Sequence, residues 1–160
     1  MKYGKWTAAV FFLCSILCPL ISQAESRSAE SPEGLLDFAD GLYARKMYTP
    51  AASEYRKFLQ NNPGSPDVAS AVYRMADSFF YLKDYKSATE FFTQFVKRFP
   101  EDKRIDSAFF RLGTARFYLN EHPKAQRLFR KIYKKTEEPT LRAGSLFRIS
   151  SGTFIPSTTK

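Results

Sequence analysis

An all-α solenoid of about three helix-turn-helix repeats of 37 residues, followed by a partial fourth, is the fold class that this sequence predicts. Three observations predict it. A shift of 37 residues superimposes segments 32–68, 69–105 and 106–142, with coincidences on apolar and small positions such as Leu35, Val72 and Phe109 or Phe58, Phe95 and Ile132. Within a copy the apolar residues step by three and four, which is the spacing of one buried helix stripe. Small residues recur where two helices of a pair must meet, at Ala39, Ala76 and Gly113 and again at Ala51, Ala88 and Ala125, with Tyr55, Phe92 and Phe129 filling the space beside them.

In chain order, residues 1–24 read as a secretory signal peptide. Lys2 and Lys5 precede an apolar run from Trp6 to Ile21 that is shorter than the roughly 20 residues of a membrane span and ends at Ser22-Gln23-Ala24, a small-x-small cleavage site. Cleavage after Ala24 leaves a short linker over 25–31 and removes Cys14 and Cys18, the only cysteines, so the mature chain has no thiol for disulfides, catalysis or metal ligation. Leu13 and Leu17 stand where a lipidated cysteine requires a small residue before it. The expected location is periplasmic or outer-membrane-associated.

The repeats follow over 32–142. Ser31-Pro32, Thr49-Pro50 and Ser65-Pro66 each set a capping hydroxyl before a proline at a helix start. The stripe Val68, Val72, Met75, Ala76, Phe79 and the stripe Tyr85, Ala88, Phe92, Phe95, Phe99 are separated by the short break Lys83-Asp84, and Asn61-Asn62-Pro63-Gly64 ends a helix. These signals predict helices over about 32–46, 49–61, 66–82, 84–98, 102–119 and 123–136. A fourth copy starts near Ala143 and stops at Ser151-Gly152-Thr153 and Pro156. Residues 143–160 therefore read as a partial repeat or cap with a polar tail, and Leu141, Leu146, Phe147 and Ile149 are more apolar than a solvating cap requires.

Val72, Met75, Ala76, Phe79, Tyr85, Ala88, Phe92, Phe95 and Pro100 fall on signature positions of the tetratricopeptide repeat family, which the chain resembles over about 32–142. The longer spacing is similar to that of envelope proteins of Gram-negative bacteria, of the kind represented by the outer-membrane β-barrel assembly lipoprotein and the Tol-Pal-associated periplasmic protein. The resemblance implies a scaffold whose first helices line a partner-binding groove. On those positions stand Tyr43, then Tyr73, Asp77, Phe80 and Tyr81, then Phe110, Thr114, Phe117 and Tyr118, an aromatic ladder suited to a protein or peptide partner. The lysine and asparagine clamp that relatives use for acidic C-terminal peptides is not matched at these positions.

Catalysis is not expected, and neither is a cofactor or a metal. The single histidine, His122, precedes Pro123 at a helix start, has no carboxylate at helical spacing and reads as a cap. Asp77 with Asp84, and Glu101 with Asp102 and Asp106, lack a calcium-loop pattern and read as helix caps and solvated faces. The chain has a net charge of +9, and residues 97–148 hold 14 Lys and Arg against six acids. Lys124, Arg127, Lys131 and Lys134 recur at helical spacing, so one face of the last second helix is basic. Nucleic acid is not an expected partner for an exported chain. The function expected is a non-catalytic scaffold for protein-protein interaction in the cell envelope, serving outer-membrane protein assembly, envelope maintenance or cell division. The alternative is a surface module binding anionic lipid or cell-wall polymer through the basic face.

Overall fold

The structure, a computed structural model, describes residues 31–152. The expected signal peptide, all of the linker but Ser31, and the tail after Gly152 lie outside them. The described residues form seven α-helices and no strand: α1 Pro32–Ala44, α2 Tyr48–Asn61, α3 Val68–Tyr81, α4 Tyr85–Arg98, α5 Ile105–Tyr118, α6 His122–Lys135 and α7 Pro139–Gly152. The helix pairs α1/α2, α3/α4 and α5/α6 repeat in a 37-residue register, with α1 alone beginning one residue late, and each helix packs on the next in sequence. Successive first helices also touch one another (α1 on α3, α3 on α5, α5 on α7), whereas successive second helices do not, so the stack curves with its first helices inward.

Each pair closes around its small residues and completes its core only with the first helix of the next pair. Ala39, Ala51, Tyr55 and Phe58 bury themselves with Ala71 and Met75 of α3. Ala76, Ala88, Phe92 and Phe95 do so with Ala108, Leu112 and Ala115 of α5. Ala125, Phe129 and Ile132 meet Leu141 and Ile149 of α7. This is the nearest-neighbour logic of a solenoid, in which no pair can cover both its faces. Gly113 replaces the alanines of the earlier copies because the Phe129 ring has moved in: a Cβ there would stand 2.9 Å from Cε1 of that ring. At the ends the pattern lapses for want of a neighbour. Phe38 is 58% exposed where its equivalents Met75 and Leu112 are buried, and Leu146 is 50% exposed.

The three-residue turn within each pair is built the same way. Lys46, Lys83 and Asn120 adopt left-handed backbone at φ 61°, and the amide after each reaches back to the carbonyl five residues earlier: Met47 to Leu42, Asp84 to Phe79, Glu121 to Arg116. These are Schellman closures, usually given to glycine.

Several expected boundaries are corrected. Of the three hydroxyls that precede a proline, only Ser31 caps as anticipated, accepting from the Gly34 amide at 3.0 Å. Thr49 lies inside α2, which begins at Tyr48. Ser65 accepts from the Asp67 amide within a turn, which delays α3 to Val68. His122 is the first residue of α6, with Glu121 at the cap position, and its ring packs edge-on against Phe117 at 5.0 Å. The last helix starts at Pro139, four residues before Ala143, because Thr136 and Glu138 turn the chain there, with the Glu138 amide donating to the Thr136 hydroxyl.

Candidate functional site

The inner wall is organised by rungs that cross from one repeat to the next. Asp40 on α1 accepts from the Tyr55 hydroxyl at 2.5 Å and lies 3.3 Å from Nε of Arg74 on α3. One repeat on, Asp77 accepts from the Tyr43 hydroxyl at 2.5 Å and lies 3.1 Å from Nε of Arg111 on α5. Each arginine also covers an aromatic ring of the preceding repeat, Arg74 over Tyr43 at 5.3 Å and Arg111 over Phe80 at 4.7 Å. Asp77 is 4% exposed, so it is no solvated cap. A carboxylate so placed in mid-helix is tolerable only with such partners, since a buried unpaired charge is costly. Burial and the hydrogen bond to Asp77 push the Tyr43 phenol well above its ordinary range. Burial opposes the charge of Arg111, but Asp77 and Tyr81 outweigh it and hold the guanidinium above its usual value. Asp84, by contrast, does cap α4, accepting from the Ser87 amide at 3.1 Å.

Beside the second rung opens a cavity of about 540 Å³. Tyr73, Phe80, Phe110, Thr114 and Tyr118 of the anticipated ladder line it, joined by Tyr85, Ser107, Arg111, Leu141 and Arg148. Tyr43, Asp77, Tyr81 and Phe117 are elsewhere. Tyr43 and Asp77 belong to the rung, Tyr81 stacks on Tyr48 at 4.7 Å, and Phe117 is covered by Arg148 at 5.5 Å and His122. Tyr73 is half-buried, edge-on to Phe92 and Phe95, with the Arg104 guanidinium 5.2 Å above it. The arginines were the residues sequence reasoning passed over. The signal was there, because Arg74, Arg111 and Arg148 stand 37 apart, as Asp40, Asp77 and Thr114 do.

The basic residues occupy α6, away from the cavity, and Lys124, Arg127, Lys131 and Lys134 are all exposed. Lys124 pairs with Glu121 at 3.0 Å and the Lys131 ammonium sits 3.8 Å above the Phe109 ring, so two of the four are engaged within the chain. Among the described residues no His, Cys, Asp and Glu cluster could hold a metal ion, and no helix is long and apolar enough to cross a membrane.

The architecture therefore defines a helical-repeat solenoid with an aromatic inner wall, and the comparisons agree with that class. Residues 70–102 and 107–135, the second and third helix pairs, match the tetratricopeptide repeat family model. Among solved structures, MamA from Desulfovibrio magneticus RS-1, residues 41 to the end, superimposes with a TM-score of 0.66 at 20% identity, covering 94% of this chain and 90% of that one. The second tetratricopeptide domain of human RPAP3, in complex with the HSP70 peptide SGPTIEEVD, has a TM-score of 0.58 at 20% identity, covering 77% of this chain and 98% of its own. The first such domain of Spaghetti (RPAP3), bound to the HSP90 peptide SRMEEVD, has 0.63 at 18% identity, with coverages of 78% and 94%. No curated protein matches the chain by sequence.

Proposed function

We propose that the chain is an exported, non-catalytic scaffold that holds a segment of a protein partner in the inner groove of its solenoid, within the bacterial cell envelope. One observation carries this reading: a cavity of about 540 Å³ opens between consecutive first helices and is walled by rings from two repeats. Rings at successive points can grip a segment with little loss of side-chain freedom, and Tyr118 combines 49% exposure with a stacked, fixed position. The two structural neighbours solved with peptides support the choice of a peptide segment as occupant. Lys2 and Lys5, the apolar run from Trp6 to Ile21 and Ser22-Gln23-Ala24 support export.

The test is photo-crosslinking in the producing cell, with a crosslinking residue at Ser107 in the cavity or at Lys134 on the basic face, and the adduct identified by mass spectrometry. A defined protein adduct from Ser107 that persists at raised salt supports the groove. Adducts from Lys134 alone, lost as salt rises, support the anionic-surface alternative. Export is checked separately, by the intact mass of the envelope fraction.

A further inference from the structure

The Asp–Arg rungs repeat every 37 residues, and the third is incomplete. Asp40 pairs with Arg74 and Asp77 with Arg111, but at the next step the arginine is present as Arg148 while the carboxylate has become Thr114. Arg148 holds its predecessors' place, its guanidinium carbon 5.5 Å from the centre of the Phe117 ring, as Arg74 covers Tyr43 and Arg111 covers Phe80. The Thr114 hydroxyl donates to the Phe110 carbonyl at 2.9 Å and offers no anionic group. Among the described residues Arg148 makes no ion pair, whereas both its predecessors do.

Thr114 and Arg148 face the same cavity, and no acidic side chain lines it. The other cation on that wall, Arg111, is already balanced by Asp77. The cavity thus presents one uncompensated guanidinium, half-buried against a ring, where a carboxylate gains more from a charge-assisted, bidentate pair than it does in open water. We propose that Arg148 docks the side-chain carboxylate of an aspartate or glutamate in the partner segment, so that the ligand supplies the rung this chain lacks. A single compensating charge suits a carboxylate better than a dianionic phosphate, and the two complete rungs show a side-chain carboxylate seated against the equivalent arginines, Arg74 and Arg111. The inference rests on the groove reading and specifies the partner: an internal acidic residue flanked by apolar or aromatic ones that meet Phe110 and Tyr118.

The experiment is selection of phage-displayed random dodecamers, which lack a free C-terminus, on the whole chain and on its Thr114→Asp and Arg148→Gln variants. Peptides selected on the unaltered chain are expected to share one Asp or Glu beside apolar residues. Each variant should bind those peptides at least about tenfold more weakly, which is about 1.4 kcal/mol, and should select no acidic position of its own. Without any peptide, Thr114→Asp should raise the melting temperature, and adding Arg148→Gln should cancel the gain while Arg130→Gln on exposed α6 should not. Groove-dependent peptides that carry no acid, acidic peptides that bind Thr114→Asp undiminished, or a thermal gain indifferent to Arg148 overturn the inference and leave the groove reading standing. Recovery of no groove-dependent peptide overturns both.

Discussion

Tyr48 lies face to face with Tyr81, ring centroids 4.7 Å apart and planes 12° from parallel, and one repeat later Tyr85 stacks on Tyr118 in the same way, at 4.6 Å and 15°. Each stack joins the first residue of a second helix to the last residue of the next first helix. It ties consecutive pairs together at the turn edge of the groove. His122 occupies the third position in this register and packs on Phe117 instead.

The two stacks share a geometry but differ in what they face, because Tyr118 lines the cavity, whereas Tyr81 does not and its hydroxyl accepts from Arg111 at 3.1 Å. Tyr81→Ala and Tyr118→Ala should each lose the stacking contribution of about 0.5–1.5 kcal/mol beyond simple area burial. Only Tyr118→Ala should also weaken partner capture, by about 1–2 kcal/mol. Equal binding losses in the two variants, measured by calorimetry at matched folded fraction, would place the contact on the turn edge and outside the cavity.

The turns offer a second test. Lys83 pays for left-handed backbone at φ 61°, a conformation that costs a side-chain-bearing residue roughly 1–2 kcal/mol and glycine little. Glycine gives part of this back through the greater freedom of its unfolded chain. Lys83→Gly is therefore expected to stabilise by about 0.5–1 kcal/mol, and Lys83→Val to destabilise. A urea midpoint that falls for the glycine variant would show that the lysine side chain contributes something the turn geometry does not explain.

The register, the helix pairs and the core were legible because burial repeats the same residue types at the same offset, and Ala76, Ala88, Phe92 and Phe95 are all fully buried as that offset requires. The turns were less legible. Two of the three left-handed positions are lysines, for which no composition rule signals positive φ, and the hydroxyl-proline pairs at 49–50 and 65–66 resemble caps although backbone turns decide the helix starts. In the sequence Asp77 fits both a wall position and a cap or solvated acid, because a lone sequence does not say that Tyr43 and Arg111 converge on it. The cavity draws half its lining from residues outside the aromatic ladder, since shape between helices depends on how pairs stack, and small changes such as Gly113 admitting the Phe129 ring set that stacking.

That stacking can be probed in the core of the middle repeat. Ala88 is fully buried between α3 and α4, so Ala88→Leu should overpack and cost about 1–3 kcal/mol. Phe92→Ala should leave a cavity where the ring meets Tyr73 and the α5 residues, and cost about 3–5 kcal/mol. Gly113→Ala should also destabilise despite the better helix propensity of alanine, because the ring 2.9 Å from the new Cβ is itself buried. Unchanged denaturation midpoints for Ala88→Leu and Phe92→Ala would mean the helices pair in another register.

The first rung predicts how stability depends on alkaline pH. Tyr55 is fully buried and donates to Asp40, and burial first, then that hydrogen bond, raise its phenol far above the ordinary value near 10. Below pH about 10 the phenol is protonated in both states, and its contribution is complete. Above that pH the unfolded chain releases the proton while the folded chain retains it. The folded state then binds more protons, and stability falls as pH rises, by about 1.4 kcal/mol per unit from this group. Tyr55→Phe should lower stability at neutral pH by about 1–3 kcal/mol through the lost bond to a charged acceptor. It should also reduce the alkaline slope by one proton relative to the unaltered chain, a difference that cancels the common titration of lysines. Urea midpoints measured from pH 8 to 12 give both quantities. Parallel curves for the two proteins would mean that Tyr55 ionises as freely when folded as when unfolded, and that Asp40 does not hold its hydroxyl.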